Sequence, residues 1–93
     1  MKTEFTKDDV KIAVISIISD TFLIVPDEIE LTSTWEDLDI DSLGQVQVVI
    51  GLEEIFDITI QDTYIDEMHN VNDIIMFCER LLRHAGKIQQ VQE

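Results

Sequence analysis

The sequence predicts an all-α domain: a small four-helix bundle of three main helices and one short one, with a long loop between the first two. Three observations predict it. Apolar residues recur at three- and four-residue steps in three stretches, and each stretch opens on a residue type that caps helices. Of the 93 residues 45% are hydrophobic, enough for one modest core and too few residues for a second domain. The helical domain is expected over residues 1–86, and KIQQVQE, residues 87–93, is expected to be a disordered tail, because a terminus without packing partners stays loose.

Thr6, followed by Lys7, Asp8 and Asp9, has the hydroxyl and the trailing acids of a helix start, where free N–H groups need acceptors and the helix dipole favours negative charge. Phe5 can staple onto Val10. Val10, Ala13, Val14, Ile17 and Ile18 then form one stripe, so the first helix runs to about Asp20. Ile12 and Ile15 fall off that stripe and suggest a second contact face. VKIAVISII also reads as a strand, and the cap decides for helix. From Thr21 to about Ile40 the periodicity fades, with Pro26 and the TST run at 32–34 marking a long connection. Ile29, Leu31, Trp35 and Leu38 are its expected anchors in the core.

Asp41 is the expected cap of the second helix, since everything from Leu43 to Phe56 is compatible with helix. Val46, Val49, Leu52 and Phe56 are the expected buried stripe. Leu43, Gln47, Ile50 and Glu54 occupy another stripe, whose apolar members, if exposed, make an acid-edged contact surface. Gly44 and Gly51 weaken this helix by about 1 kcal/mol each relative to Ala, so packing has to hold it. DITIQDT, residues 57–63, alternates like a strand but has no obvious pairing partner. Asp62 or Thr63 is expected to cap a one- or two-turn helix across Tyr64 to Met68. Asn70 then caps the last helix, with Asp73 in its first turn and Val71, Ile74, Ile75, Cys78, Leu81 and Leu82 on one face, and Gly86 is the stop.

Charge bounds the partners. Twenty acids against six bases give a formal net charge of −14, which repels nucleic acid and anionic membranes and suits a basic patch on another protein. One cysteine, Cys78, can make no internal disulfide and fits a small buried residue. No signal-peptide core and no run near the roughly 20 apolar residues of a membrane span is present, so a soluble monomer of a reducing cytoplasm is expected.

The stretch DLDIDSLGQVQV, residues 37–48, invites three chemistries. Asp37, Asp39 and Asp41 match the first, third and fifth positions of a calcium loop, but Ser42 stands where glycine makes the turn and Val48 where a bidentate glutamate closes the shell. A nucleophilic Ser42 would need a base, and nothing in the sequence positions His69 or His84 beside it. As the first residue of a helix, however, Ser42 presents its hydroxyl at the positive end of the dipole, where an attached phosphodiester would be favoured. A plain helix cap explains the same two residues, and on those alone both readings stay open.

Asp41-Ser42-Leu43, preceded by WEDLDI and followed by VQVVIGLEEIFDITI, a short helix and NVNDIIMFCERL, resembles the acyl carrier protein family over residues 5 to 83. The resemblance implies that a phosphopantetheinyl transferase attaches 4′-phosphopantetheine to Ser42 in a magnesium-dependent reaction, with Asp41 capping the helix and contacting that synthase. It implies a non-catalytic carrier of acyl thioesters served by acyl-loading and acyl-processing enzymes with basic docking patches. Leu43, Gln47, Ile50, Glu53, Glu54, Ile60, Asp62 and Met68 fall where that family meets its partners. Val46, Val49, Phe56, Ile74 and Cys78 would part to shelter an acyl chain. Gly44 and Gln47 stand where housekeeping carriers of the family usually show acids, and Asp39 replaces a common glycine. These departures favour a specialised lipid or polyketide pathway over general fatty-acid synthesis. An aminoacyl or aryl carrier and an unmodified interaction module are the alternatives.

Overall fold

Three side-chain caps start the three main helices of the computed structural model, which describes residues 4–88. α1 (Lys7–Phe22) opens on Thr6, whose Oγ1 accepts from the Asp9 N–H at 3.0 Å while Asp9 Oδ2 accepts from the Thr6 N–H at 2.9 Å. α2 (Ser42–Phe56) opens on Asp41, whose Oδ1 accepts from the Gly44 N–H at 2.8 Å. α3 (Val71–His84) opens on Asn70, whose Oδ1 accepts from the Asp73 N–H at 2.8 Å. Each cap acts across three residues, which is why sequence alone located all three. α1 runs two residues past its expected end and stops on Leu23, in the left-handed region at φ 57°. α3 is followed by Gly86 at φ 71°, the expected stop.

α1 lies against both α2 and α3. Val10, Val14 and Ile18 from α1 join Val49, Leu52 and Phe56 from α2 and Val71, Ile74, Ile75, Cys78 and Leu82 from α3 in one buried cluster. The expected stripe of α2 needs one correction: Val46 is 37% exposed and Val48 is fully buried. The glycines explain the shift. A Cβ on Gly51 would stand 2.6 Å from Ile17 Cδ1, and one on Gly44 would stand 2.8 Å from Ile40 Cγ2 and 3.0 Å from the Phe22 ring. The side of α2 carrying Gly44, Val48 and Gly51 is therefore pressed against its neighbours, and the glycines permit an approach that any larger residue would block. In α3, Phe77 joins the buried face under Tyr64, ring centroids 4.6 Å apart, while Leu81 is only half-buried.

The connections depart further from expectation. The short helix is a 3-10 helix, Asp62–Glu67, and neither Asp62 nor Thr63 caps it. DITIQDT joins no strand among the described residues, where the only ladder pairings are isolated bridges between Phe5 and Ile88 and between Thr34 and Asn70. The long loop holds a three-residue 3-10 turn, Pro26–Glu28, and then a single turn in which Thr34 and Asp37 cap each other's backbone at 3.0 Å. That turn ends on Asp39 at φ 57°, where glycine would sit without strain, and the Ile40 N–H returns to Trp35 O at 2.9 Å. Ile29 is buried, and Trp35 and Leu38 pack on the core as expected, with Trp35 Nε1 donating to Met68 O at 2.7 Å. Leu31 does not: its side chain is 40% exposed, and the residue anchors through its carbonyl, which accepts from the Asn72 N–H at 2.9 Å.

The first and last described segments meet beside the C-terminus of α2. Phe5 N–H donates to Lys87 O at 2.7 Å, the Phe5 ring meets Phe56 edge to face at 4.9 Å, and Lys87 Nζ donates to Phe56 O at 3.3 Å and Asp57 O at 2.7 Å. Lys87 and Ile88, the first two residues of the expected tail, make these contacts, and residues 89–93 lie outside the described residues.

Candidate functional site

Ser42 is the first residue of α2, and it is exposed. The geometry at its hydroxyl follows from how Asp41 spends its oxygens. Oδ1 takes the Gly44 N–H at 2.8 Å and the backbone carbonyl takes the Gln45 N–H at 2.9 Å. The N–H groups of Ser42 and Leu43 keep no acceptor among the described residues, so they and the positive end of a 15-residue helix are available to an anion attached at the hydroxyl. The approach to the site is set by the Thr34–Asp37 turn and the left-handed Asp39, which fix the backbone just ahead of the cap.

The residues expected to meet partners separate into two groups. Leu43, Gln47, Ile50 and Glu54 line one exposed stripe of α2, with Leu43 69% and Ile50 48% exposed, and Asp62 is exposed at the start of the 3-10 helix. Ile60 and Met68 do not belong to that surface, being 4% and 1% exposed. They are core: Ile60 folds under the loop after α2, and Met68 closes the junction to α3 that Trp35 holds. Glu53 is half-buried, and its Oε2 accepts from the Ile60 N–H at 2.8 Å, a brace for that loop. Sequence reasoning missed Val46 and Ile55, 37% and 43% exposed, which widen the apolar part of the α2 surface. The phase of the helix could have revealed Val46, had Gly44 and Gly51 been read as the side of close approach.

Charge is strongly segregated along the chain. From residue 12 to residue 79 there are sixteen Asp and Glu and no Lys or Arg. Of the three aspartates at calcium-loop spacing, Asp37 and Asp41 each give one oxygen to a backbone N–H, of Thr34 and Gly44. Among the described residues no group of three His, Cys, Asp or Glu is placed to hold a metal ion, and no helix is long and apolar enough to cross a membrane. His69 and His84 are both exposed, His69 before α3 and His84 at its end. Cys78 is fully buried, and that burial, with a smaller push from the Glu79 carboxylate, raises its thiol from the ordinary 9.0 to about 12.

Comparison with known proteins agrees with this geometry. The family model for the phosphopantetheine attachment site matches residues 13–78, a span that contains Ser42. An acyl carrier protein of Sulfurovum sp. is 40% identical over 75 residues, covering 80% of this chain and 95% of its own. An acyl carrier protein of Campylobacter curvus is 33% identical and one of Kocuria rhizophila 29%, each over 75 residues and 80% of this chain, covering 92% and 93% of their own lengths. With a match this long and an exposed hydroxyl at a helix start to receive the group, the chain belongs to the acyl carrier protein family, non-catalytic carriers that bear a 4′-phosphopantetheine group.

Proposed function

We infer that Ser42 is the attachment residue and that the chain holds acyl intermediates there for a specialised lipid or polyketide pathway. The observation that carries this is the exposed Ser42 hydroxyl at the first residue of α2, beside two N–H groups without acceptors among the described residues. When bound, the group supplies a thiol on a long arm, which carries acyl units as thioesters. The chain's own residues do the rest. Asp41 fixes the start of α2 through Gly44 and offers its second oxygen and its charge to the modifying synthase. The N–H groups of Ser42 and Leu43 face the phosphodiester charge.

Leu43, Gln47, Ile50 and Glu54, with Asp62 beyond them, form the docking face for enzymes that carry basic patches. An apolar centre rimmed by acid gives fast, weak, salt-sensitive association. Glu53 supports this face through the Ile60 N–H rather than by contact. Val49, Phe56, Ile74 and Cys78, all buried, are the lining that parts for an acyl chain, each sheltered CH₂ contributing about 0.8 kcal/mol. The chain works as a monomer in the cytoplasm, where Cys78 stays a free thiol.

Incubation with a broad-specificity phosphopantetheinyl transferase, coenzyme A and magnesium tests the reading by intact mass. One added arm on the wild type and none on Ser42→Ala is the expected result. No gain on the wild type, or an equal gain on Ser42→Ala, refutes it.

A further inference from the structure

The Ile12 and Ile15 pair that falls off the core stripe of α1 has no place in the function above. Together with Asp8, Lys11, Ser16 and Pro26 these residues line a surface groove of about 400 Å³ between α1 and the Pro26–Glu28 turn. Ile12 is 62% exposed, and Val25, next to Pro26 in the chain, is 57% exposed. At 100° per residue, Ile12 and Ile15 point about 140° and 160° round α1 from Ile17, which touches the site of Gly51 on α2. The groove therefore opens away from α2, and a partner seated there leaves Ser42 and the α2 stripe free.

Charge and size select the occupant. The lining holds one acid, Asp8, and one cation, Lys11, and two exposed acids, Asp27 and Glu28, follow Pro26 in the turn that walls the groove. A second copy of this chain is disfavoured, because it brings a formal charge of −14 against −14. The apolar lining is small, the exposed Ile12, the half-buried Ile15 and Pro26, with the exposed Val25 next to Pro26 in the chain, and three or four such side chains fit a short segment held weakly rather than the roughly 800 Å² per partner of a stable complex.

We propose that the α1 groove is a second docking surface, which receives a short amphipathic helix of a partner protein whose aliphatic ridge is flanked by Lys or Arg. Ile12 and Val25 bracket the ridge, Asp8, Asp27 and Glu28 meet the basic flanks, and Lys11 sets the register. The carrier can thus be held by one protein while the face around Ser42 is presented to another. This surface is independent of Ser42, so its failure and that of the attachment reading are separately visible.

The test uses a synthetic helix of roughly 15 residues, long enough to form when bound, with leucines at i, i+3, i+4 and i+7 and lysines on both flanks. A glutamate-flanked counterpart is the control, and backbone amide shifts of the full chain are the readout. Shifts at residues 8–16 and 25–28, affinity lowered at least tenfold by the exposed substitution Ile12→Gln and kept in Ile50→Gln, are expected. The proposal is overturned by shifts along α2 instead, by equal binding of the glutamate-flanked peptide, by indifference to Ile12→Gln, or by no binding at millimolar peptide. A wild-type dimer in sedimentation that Ile12→Gln dissolves overturns it too, since a second copy is then the occupant.

Discussion

Replacing Gly51 by alanine sets two well-known effects against each other. Alanine gains about 1 kcal/mol of helix propensity over glycine. The new methyl, however, would stand 2.6 Å from Ile17 Cδ1 and 2.8 Å from Ile17 Cγ1, closer than carbon atoms approach. Ile17 has to move, and overpacking of this kind costs about 1–3 kcal/mol. The net expectation is a loss of about 1 kcal/mol, within a range from nearly zero to 2. Ile17→Ala removes both obstructing atoms; the isoleucine is half-buried, so the loss of its side chain costs about 2 kcal/mol, at the low end for such truncations. In that background Gly51→Ala meets open space and should stabilise by about 1 kcal/mol, so the coupling between the two sites is about 2 kcal/mol. Urea unfolding followed by the fluorescence of Trp35, the single tryptophan, measures all four corners of the cycle. With slopes of about 1–3 kcal/mol per molar urea, a loss of 1 kcal/mol moves the midpoint by a readable fraction of a molar or more. A wild-type background in which Gly51→Ala raises the midpoint would refute the close-approach argument and leave the glycine as a mere weakness of the helix.

Two further expectations follow from single groups. Asp41→Ala removes the acceptor for the Gly44 N–H and should cost about 1 kcal/mol in the same unfolding assay, whereas Asp41→Asn keeps an oxygen at that position and should cost far less; if modification of Ser42 by the transferase slows in both variants alike, the charge and not the cap serves the synthase. Cys78 should resist alkylation at pH 8 in the folded chain and react at once in urea, because burial holds its thiol at about 12 against 9.0 in the unfolded chain. A raised thiol pKa favours the protonated folded state, so its contribution to stability is complete below pH 9 and is lost as pH rises from 9 toward 12. Cys78→Ser, which has no comparable titration, should flatten that part of the stability profile, and an unchanged profile would show the loss to lie elsewhere.

What the sequence made legible is what acts over a few residues. Thr6, Asp41 and Asn70 each bond an N–H three positions on, and a short polar side chain ahead of an apolar stripe is a sufficient sign of that bond. The exposed stripe Leu43, Gln47, Ile50 and Glu54 was readable for the same reason, since one helix period defines it. Contacts between distant segments were not. VQVV offers three valines at neighbouring angles, and whether 46 or 48 turns inward depends on α1 closing over the two glycines of α2, an event that local spacing does not encode. Ile60 and Met68 were expected at the partner surface only through the family resemblance, since no local spacing fixes their burial. They are buried because the loop after α2 is braced by Glu53 and the junction before α3 by Trp35, seven and thirty-three residues away in sequence.

The pairing of Phe5 with Lys87 reaches beyond stability. Ser42 and Phe56 stand at opposite ends of α2, about 21 Å apart at 1.5 Å per residue, and the strands of chain entering at Phe5 and leaving near Ile88 run side by side at the Phe56 end. The described residues thus begin and end beside Phe56, at the far end of α2 from the serine. A label joined at Phe5 or Ile88 is attached about 21 Å of helix away from the serine, and modification of Ser42 by a transferase should proceed at the same rate on the labelled chain as on the unlabelled one.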